Sequence, residues 1–222
     1  ILTNLSSQYL DLGAFEIAKK YADDGLNACR EIDVPFGECF NLINLSLAAQ
    51  YLGDEAEADM YSQEALKLAE EIGSQFLRGL ALKDRGFVLL EQRKLAAATE
   101  AYMASLECLA QTDQVLETHA GLAWLALQRG EETAVHQHLS PILNHLREGQ
   151  TLDGTSRPFY ILLLTYKVLA SLNDPFAAEV LEMAYGRLVS WANQITDDNR
   201  RDSFLESVPV NLEISLLYES QA

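Results

Sequence analysis

The sequence repeats itself at a shift of about 40 residues, and this regularity limits the possible folds more than any other feature. Three columns, mostly of small residues, align over three successive copies. The columns are Gly13, Gly53 and Arg93; Ala18, Ala58 and Ala98; and Gly25, Ala65 and Ser105, with Leu26, Leu66 and Leu106 directly after the last three. Such a period is typical of repeat arrays, in which each unit buries its apolar face only against its neighbours.

Within each copy the apolar residues recur at helical spacing on both sides of the turn column. In the second copy they run from Leu42 to Leu52 before Gly53 and from Ala58 to Leu68 after it, which predicts a helical hairpin. Glycine suits the turn because the residue just past a helix end often adopts the left-handed conformation. Arg93 breaks this rule, so the third turn is predicted to be built differently or to be slightly strained.

Two further copies are less regular than the first three. A fourth enters at a shorter shift with Gly130 at its turn, and a weaker fifth has the turn sequence Asn173-Asp174-Pro175. We therefore predict an all-α, right-handed superhelical array of antiparallel helical hairpins, with about five hairpins and C-terminal helices. The expected repeats are approximately 1–35, 36–74, 75–112, 113–148 and 157–195, followed by capping helices at 198–220, all within one repeat domain over 1–222. The chain opens inside a helical pattern at Ile1, which suggests a fragment of a longer protein.

The charge and composition exclude several classes of function. A formal net charge of -17 repels the phosphate backbone, so direct contact with nucleic acid is not expected. The most apolar run, Phe159 to Leu172, is interrupted by polar residues and is shorter than the roughly 20 residues that span a bilayer, so no membrane segment is predicted. Three widely spaced cysteines, Cys29, Cys39 and Cys108, are typical of reduced thiols in a cytoplasmic protein.

The columns resemble the tetratricopeptide (TPR) family, and the stretch LGDEAEADMYSQEALKLAEE at 52–71 is the clearest copy. The long period is similar to the extended repeats in the C-terminal arrays of large bacterial ATPase regulators related to the maltose regulator. The tail ITDDNRRDSFLESVPVNLEISLL at 195–217 looks like the closing segment of those arrays. The resemblance implies a cytoplasmic bacterial regulator in which this segment follows a nucleotide-binding module that lies outside the chain.

In the TPR domains that the chain resembles, the ligand lies on the concave face formed by the first helix of each hairpin. Carried over copy by copy, the resemblance implies a groove that mixes aromatic and hydrogen-bonding groups. Its members are Asn44, Leu47, Tyr51, Lys83, Asp84, Phe87, Glu91, Trp124 and Gln128. The alternative is that Leu47, Phe87 and Trp124 simply pack between hairpins. Few basic residues lie along this face, so an apolar, basic or amphipathic partner is more compatible with it than an acidic one.

No pattern in the sequence predicts catalysis or a cofactor. Glycine-rich phosphate-binding loops are missing, and no Ser-His-Asp or Cys-His arrangement stands out. The four histidines are His119, His136, His138 and His145. His138 and His145 share a helix face, but no matching cysteine or carboxylate completes a metal site, so we expect exposed or partly packed histidines. The Gly/Ser/Thr-rich segment at 147–157 is either an ordinary connector or a mobile rim of the groove.

The function predicted from the sequence is partner binding without enzymatic activity. The leading hypothesis is a TPR interaction or sensor region that receives a protein, a peptide or a small effector and passes that state to an output domain. A second hypothesis is a scaffold or dimerisation module without a ligand groove, in which the last helix at 210–220 pairs with another copy. A third, a stand-alone hydrolase or metal enzyme, has no residue pattern in its favour.

Overall fold

A computed structural model describes residues 1–221, and within that range the chain forms twelve α-helices and one π-helical turn. The helices are α1 (Leu2–Asp11), α2 (Phe15–Glu31), α3 (Pro35–Leu52), α4 (Glu55–Ile72), α5 (Gln75–Glu91), α6 (Leu95–Leu109), α7 (Val115–Arg129), α8 (Glu132–Arg147), α9 (Pro158–Ser171), α10 (Phe176–Ala192), α11 (Asp198–Asp202) and α12 (Pro209–Glu219), with the π-helical turn at Ser203–Ser207. Consecutive helices pair as hairpins, and in each hairpin we name the first the A helix and the second the B helix. The predicted all-α array of helical hairpins is confirmed.

The chain forms two compact units, the first of which is Ile1–Leu109 and contains three hairpins. In this unit α1 packs on α2, α3 on α4, and α5 on α6. The B helices α2 and α4 also pack on the A helices that follow them, α3 and α5, and the three A helices contact one another in sequence. Stacking of this kind buries nearly all of α5, from Leu77 to Leu90. Within the first unit α5 is therefore the most enclosed helix.

The second unit begins at Ala110 and contains two hairpins and the C-terminal helices. The hairpins are α7 with α8 and α9 with α10, and the two A helices α7 and α9 pack on each other. The last helix, α12, lies on α9 and α10, where Tyr185 and Tyr218 stack with their ring centroids 3.9 Å apart. Asn211 of α12 donates from Nδ2 to the carbonyl of Phe204, which ties the helix to the π-helical turn.

None of the helices within residues 1–221 combines the length and the apolar character that crossing a membrane requires. The prediction that 1–222 constitutes a single repeat domain, with the repeat boundaries given above, stays a prediction.

The same turn closes the hairpins of both units. At Gly53 the backbone N–H bonds to Gln50, three residues back, and the next N–H, of Asp54, bonds to Ala49, five residues back. This pair of bonds is the Schellman motif, which needs a left-handed residue past the helix end. Gly13, Gly130 and Asn173 hold the same turn with φ values of 73°, 70° and 56°.

Arg93 adopts this turn as well, with φ 58° and bonds from the N–H groups of residues 93 and 94 to Leu90 and Leu89. Of the two outcomes predicted for the third turn, a different construction is therefore wrong. The left-handed conformation places the Cβ of a non-glycine residue close to the backbone, which makes it unfavourable for arginine. The third turn keeps the geometry of the others and carries that conformational strain.

Replacing Arg93 by glycine is expected to raise the free energy of unfolding by about 0.5–1 kcal/mol, because glycine reaches the left-handed conformation without strain. Urea denaturation followed by circular dichroism measures the change. The matched control is Gly53→Arg at the equivalent turn, where a Cβ would meet no atom within 4 Å, so that only the backbone conformation is tested. It should destabilise by a similar amount, and equal stability of both variants and the wild type would contradict the argument.

Buried polar side chains fasten the two helices of a hairpin to each other. Ser6 donates from Oγ to the carbonyl of Ala18 at 2.9 Å, and Ser46 repeats the bond to Ala58 at 2.8 Å one copy later. A second bond joins the far ends of the helices, from Cys39 to Ala65 in the second hairpin and from Ser105 to Gly79 in the third. These pairs lie at corresponding positions of the repeat, so they hold each hairpin in the same register.

Candidate functional site

The A helix of the first hairpin carries a group of polar residues that are exposed in the described part of the chain. Asn4, Ser7, Gln8 and Asp11 of α1 are all exposed. Their spacing of three, four and seven residues puts them on one side of the helix. Polar side chains at such a position can bind a ligand by hydrogen bonds without first breaking contacts in the core.

On α3 the corresponding positions are Asn44, Leu47 and Tyr51, which the sequence analysis placed in the groove. Asn44 is buried and donates from Nδ2 to the carbonyl of Thr3 at 3.1 Å, so it joins α3 to α1. Leu47 and Tyr51 are half-buried, and both pack against the core cluster around Leu10. The accessible part of α3 on this face is therefore the outer surface of Leu47 and Tyr51.

Tyr51 lies at the centre of a chain of aromatic contacts. Its ring stacks on Phe15, with the centroids 4.5 Å apart, and is tilted against Phe87 at 5.9 Å. Stacked and tilted arrangements at these distances are favourable for aromatic rings. Of the predicted groove residues, Tyr51 and Phe87 are thus brought into contact with each other.

On α5 the predicted residues are mostly enclosed. Lys83 is completely buried, Asp84 and Phe87 are buried, and only Glu91 is exposed. The ammonium of Lys83 lies 4.0 Å from the carboxylate of Asp84. The burial of Phe87 is what packing between hairpins, the alternative to groove lining, requires. The accessible member of the predicted set on this helix is Glu91.

The two remaining predicted residues, Trp124 and Gln128, belong to the second unit. Trp124 of α7 is half-buried, and the ammonium of Lys167 lies over its ring at 5.6 Å from the centroid. Lys167 also pairs with Glu213 of α12 at 2.7 Å. Gln128 is exposed at the C-terminal end of α7. Trp124 therefore takes part in an internal cation–π contact as well as presenting some surface.

Sequence reasoning missed the first copy of this face. Asn4, Ser7 and Asp11 stand at the positions of Asn44, Leu47 and Tyr51 one repeat earlier. The repeat alignment already contained the signal, because the same shift that relates Gly13 to Gly53 relates these residues. Together with the exposed surface of Leu47, Tyr51 and Glu91 they form what we call the A-helix face of the first unit.

The second unit contains a pair of facing histidines that the sequence did not predict. His119 of α7 and His138 of α8 approach with their Nδ1 atoms 3.2 Å apart. In a hydrogen bond between the two Nδ1 atoms, one nitrogen carries the proton and the other accepts it. The two neutral imidazoles are therefore in different tautomers, one protonated on Nδ1 and the other on Nε2. Burial, together with the neighbouring His138, lowers the pKa of His119 to about 4, and burial also lowers the pKa of His138.

Acidification from pH 7 toward pH 4 is expected to weaken the second unit through His119. In the unfolded chain His119 takes up its proton near pH 6.5, but in the folded protein only near pH 4. Between these values the unfolded state binds more protons, so the free energy of unfolding falls as the pH falls. Allowing for partial exposure of the ring, the loss is on the order of 2 kcal/mol.

Chemical denaturation of the wild type and of His119→Gln at a series of pH values measures this contribution. The variant should lack the part of the pH dependence between pH 6.5 and pH 4 that His119 supplies. His136→Gln is the matched control, because His136 is exposed on α8 and should leave the wild-type profile unchanged. Identical profiles for the wild type and His119→Gln would show that the pair does not control stability.

Two further kinds of chemistry depend on His, Cys, Asp and Glu side chains, namely metal binding and nucleophilic attack. No three His, Cys, Asp or Glu side chains within the described residues, 1–221, are grouped so that they could hold a metal ion. Burial, with the nearby charge of Asp84, raises the pKa of the Cys39 thiol to about 12. That thiol therefore stays protonated at neutral pH and is a poor nucleophile.

The connector at 147–157 is fastened at several points. Leu152 and Thr155 are buried. Gln114, the residue just before α7, donates to the carbonyl of Gly154 at 2.8 Å. At the end of the connector Arg157 forms a buried ion pair with Glu117 of α7, with 2.8 Å from Nε to the carboxylate. Of the two interpretations that the sequence left open, these contacts favour an ordered connector over a mobile rim.

Comparison with known proteins identifies the fold without identifying a family. Neither a protein-family model nor a curated protein sequence matches the chain. Among solved structures, the chain is similar to a Rap protein in its complex with competence and sporulation factor, with a TM-score of 0.66 and 12% sequence identity. The match covers 100% of this chain and 64% of that one, so the present chain spans less than two-thirds of the Rap chain. At this identity the likeness establishes a shared TPR-like helical repeat fold only.

Proposed function

We propose that the chain is a partner-binding TPR-like module without catalytic activity, and that its A-helix face binds a protein or peptide segment. The observation that carries the proposal is the exposed polar face of α1, three of whose residues stand at the repeat positions of Asn44, Leu47 and Tyr51 on the packed neighbour α3. A polar stripe next to an aromatic and an aliphatic side chain provides both hydrogen bonds and an apolar anchor.

The face is prearranged by contacts within the first unit. The Asn44 amide fixes α3 against α1, and the stacking of Tyr51 on Phe15 sets the position of the tyrosine ring. A partner would therefore meet side chains that are already ordered, which lowers the entropic cost of binding. The bonds from Ser6 and Ser46 to the facing B helices hold the hairpins below this surface in register.

The Rap protein structure supports this assignment by analogy, since that protein has the same fold and is in complex with competence and sporulation factor. We further propose that this chain belongs to a cytoplasmic bacterial regulator and that binding is communicated to an output domain. Trp124 and Gln128 form a second, separate candidate surface on the A helix of the fourth hairpin.

Photo-cross-linking tests the A-helix face directly. The photoreactive amino acid benzoylphenylalanine is placed at Ser7 or Glu91, and at Gln63 as a matched control on a B helix. All three positions are exposed, so the substitutions should change the free energy of unfolding by no more than about 0.5 kcal/mol. The proteins are irradiated in a lysate of the cells that produce the chain, and the adducts are identified by mass spectrometry.

The expected result is one set of adducts shared by positions 7 and 91 and absent from position 63. A shared set would show that the same partner touches both α1 and α5. Adducts that are the same at all three positions would indicate non-specific contact. No adducts at positions 7 and 91 would contradict the assignment of this face to partner binding.

A further inference from the structure

A second surface of the first unit carries exposed apolar side chains at the turns that lead from one hairpin to the next. Ile32 is 71% exposed, Phe36 is 47% exposed and Phe76 is 41% exposed, and Val34 is exposed as well. We call Ile32, Val34, Phe36 and Phe76 the turn-edge patch. Scattered apolar residues on a surface need no explanation, but a contiguous group of large ones often marks an interaction site.

The repeat brings the members of the turn-edge patch together. Phe36 and Phe76 stand at equivalent positions, each the second residue of an A helix, and those helices, α3 and α5, pack on each other. Because the axes of packed helices lie about 8–10 Å apart, we expect a separation of about that size between Phe36 and Phe76. Val34 lies beside the start of α3, and the Phe36 ring is 5.4 Å from that of Phe40. The patch is thus a short apolar row along one edge of the unit.

Acidic residues outnumber basic ones in the two chain segments that carry the patch or lead into it, 30–38 and 64–78. The basic residues are Arg30, Lys67 and Arg78, and the acidic residues are Glu31, Asp33, Glu38, Glu64, Glu70 and Glu71. Each basic group is already held in an ion pair. Arg30 lies 3.3 Å from Glu38 and 2.6 Å from Glu64, Lys67 lies 3.7 Å from Glu71, and Arg78 lies 3.5 Å from Glu70. Glu31 and Asp33 are exposed beside Ile32 and Val34, so the rim of the patch is negative.

We propose that the turn-edge patch binds a cationic amphipathic helix of a partner protein. Apolar side chains two helical turns apart are separated by about 10.5 Å, which is close to the spacing expected between Phe36 and Phe76. Lysine or arginine beside the apolar stripe would meet the carboxylate rim. An anionic lipid surface and a second copy of this chain, whose net charge is -17, are both repelled by that rim. This surface is separate from the A-helix face.

The test uses a labelled synthetic peptide of about 18 residues, composed of leucine and lysine with leucine at helical spacing. A scrambled peptide of the same composition controls for net charge. Fluorescence anisotropy gives the affinity for the wild type, for Phe36→Ser combined with Phe76→Ser, and for a matched control, Met60→Ser combined with Met103→Ser. Met60 and Met103 are 51% and 48% exposed on B helices, so the control removes a similar apolar surface elsewhere in the unit.

The double phenylalanine variant is expected to bind the patterned peptide about tenfold more weakly, whereas the methionine variant stays within about twofold of the wild type. Added salt should weaken binding to the wild type, because the rim contributes electrostatic attraction. Circular dichroism verifies that both variants are folded. Equal losses in the two variants, equal binding of the scrambled peptide, or no binding by the wild type would overturn the proposal. So would dimerisation or binding to anionic vesicles that depends on Phe36 and Phe76.

Discussion

Replacing Glu117 by alanine is expected to lower the free energy of unfolding by about 3–5 kcal/mol. The carboxylate is completely buried on α7 and pairs with the guanidinium of Arg157. Its removal would leave a positive charge in a site from which most water is excluded, where an uncompensated charge is strongly unfavourable. Urea denaturation measures the loss, and the connector at 147–157 should become more susceptible to proteolysis.

Two controls distinguish the effect of leaving a charge buried from the effect of losing an ion pair of the connector. Asp153→Ala breaks the ion pair of the same connector with Arg187, but Asp153 is an exposed residue, so the loss should be much smaller. Glu117→Met combined with Arg157→Met removes both charges together and should recover most of the stability. If Glu117→Ala cost no more than Asp153→Ala, burial of the charge would not be the cause.

Replacing Phe87 by alanine is expected to cost about 3–5 kcal/mol, because a buried aromatic ring would leave a cavity. The side chain is 2% exposed and touches Tyr51 on the neighbouring A helix. Thermal or urea denaturation gives the loss. Phe76→Ala is the matched control, since the same change on the same helix at an exposed position should cost far less.

The Phe87 variant also bears on the predicted groove. Partner binding is therefore measured at low temperature and without denaturant, where the variant is fully folded. If the variant then binds as well as the wild type, Phe87 is a packing residue. A decline that persists in the folded variant would instead support its place in the groove. A small stability loss, similar to that of Phe76→Ala, would contradict the structural role assigned to Phe87 here.

The periodic features of the fold were predictable from the sequence because each repeat carries its own signals. The turn residues Gly13, Gly53 and Gly130 mark the ends of A helices, and the alanine column marks the beginning of B helices. The geometry of the Arg93 turn was not predictable from the sequence, because the local conformational preference of arginine opposes the conformation that the neighbouring hairpins impose. Packing between copies overrides the preference of a single residue.

The candidate site was predictable only in part. The helix face follows from the repeat, but the depth of burial does not, because it depends on how closely neighbouring helices approach. Lys83 and Asp84 are of charged residue types that usually lie on the surface, and both are nevertheless buried. The contact of His119 with His138 joins two different helices, so no spacing along one helix could reveal it.

The hydroxyl and thiol hydrogen bonds within hairpins have a consequence for the folding kinetics of the first unit. The bonds from Ser6 and Ser46 join residues 12 positions apart, and those of Cys39 and Ser105 join residues 26 positions apart. Closing loops of this length costs little chain entropy, and structures dominated by local contacts fold quickly. Each hairpin can therefore form as a nucleus by itself and then serve as the template on which the next one assembles.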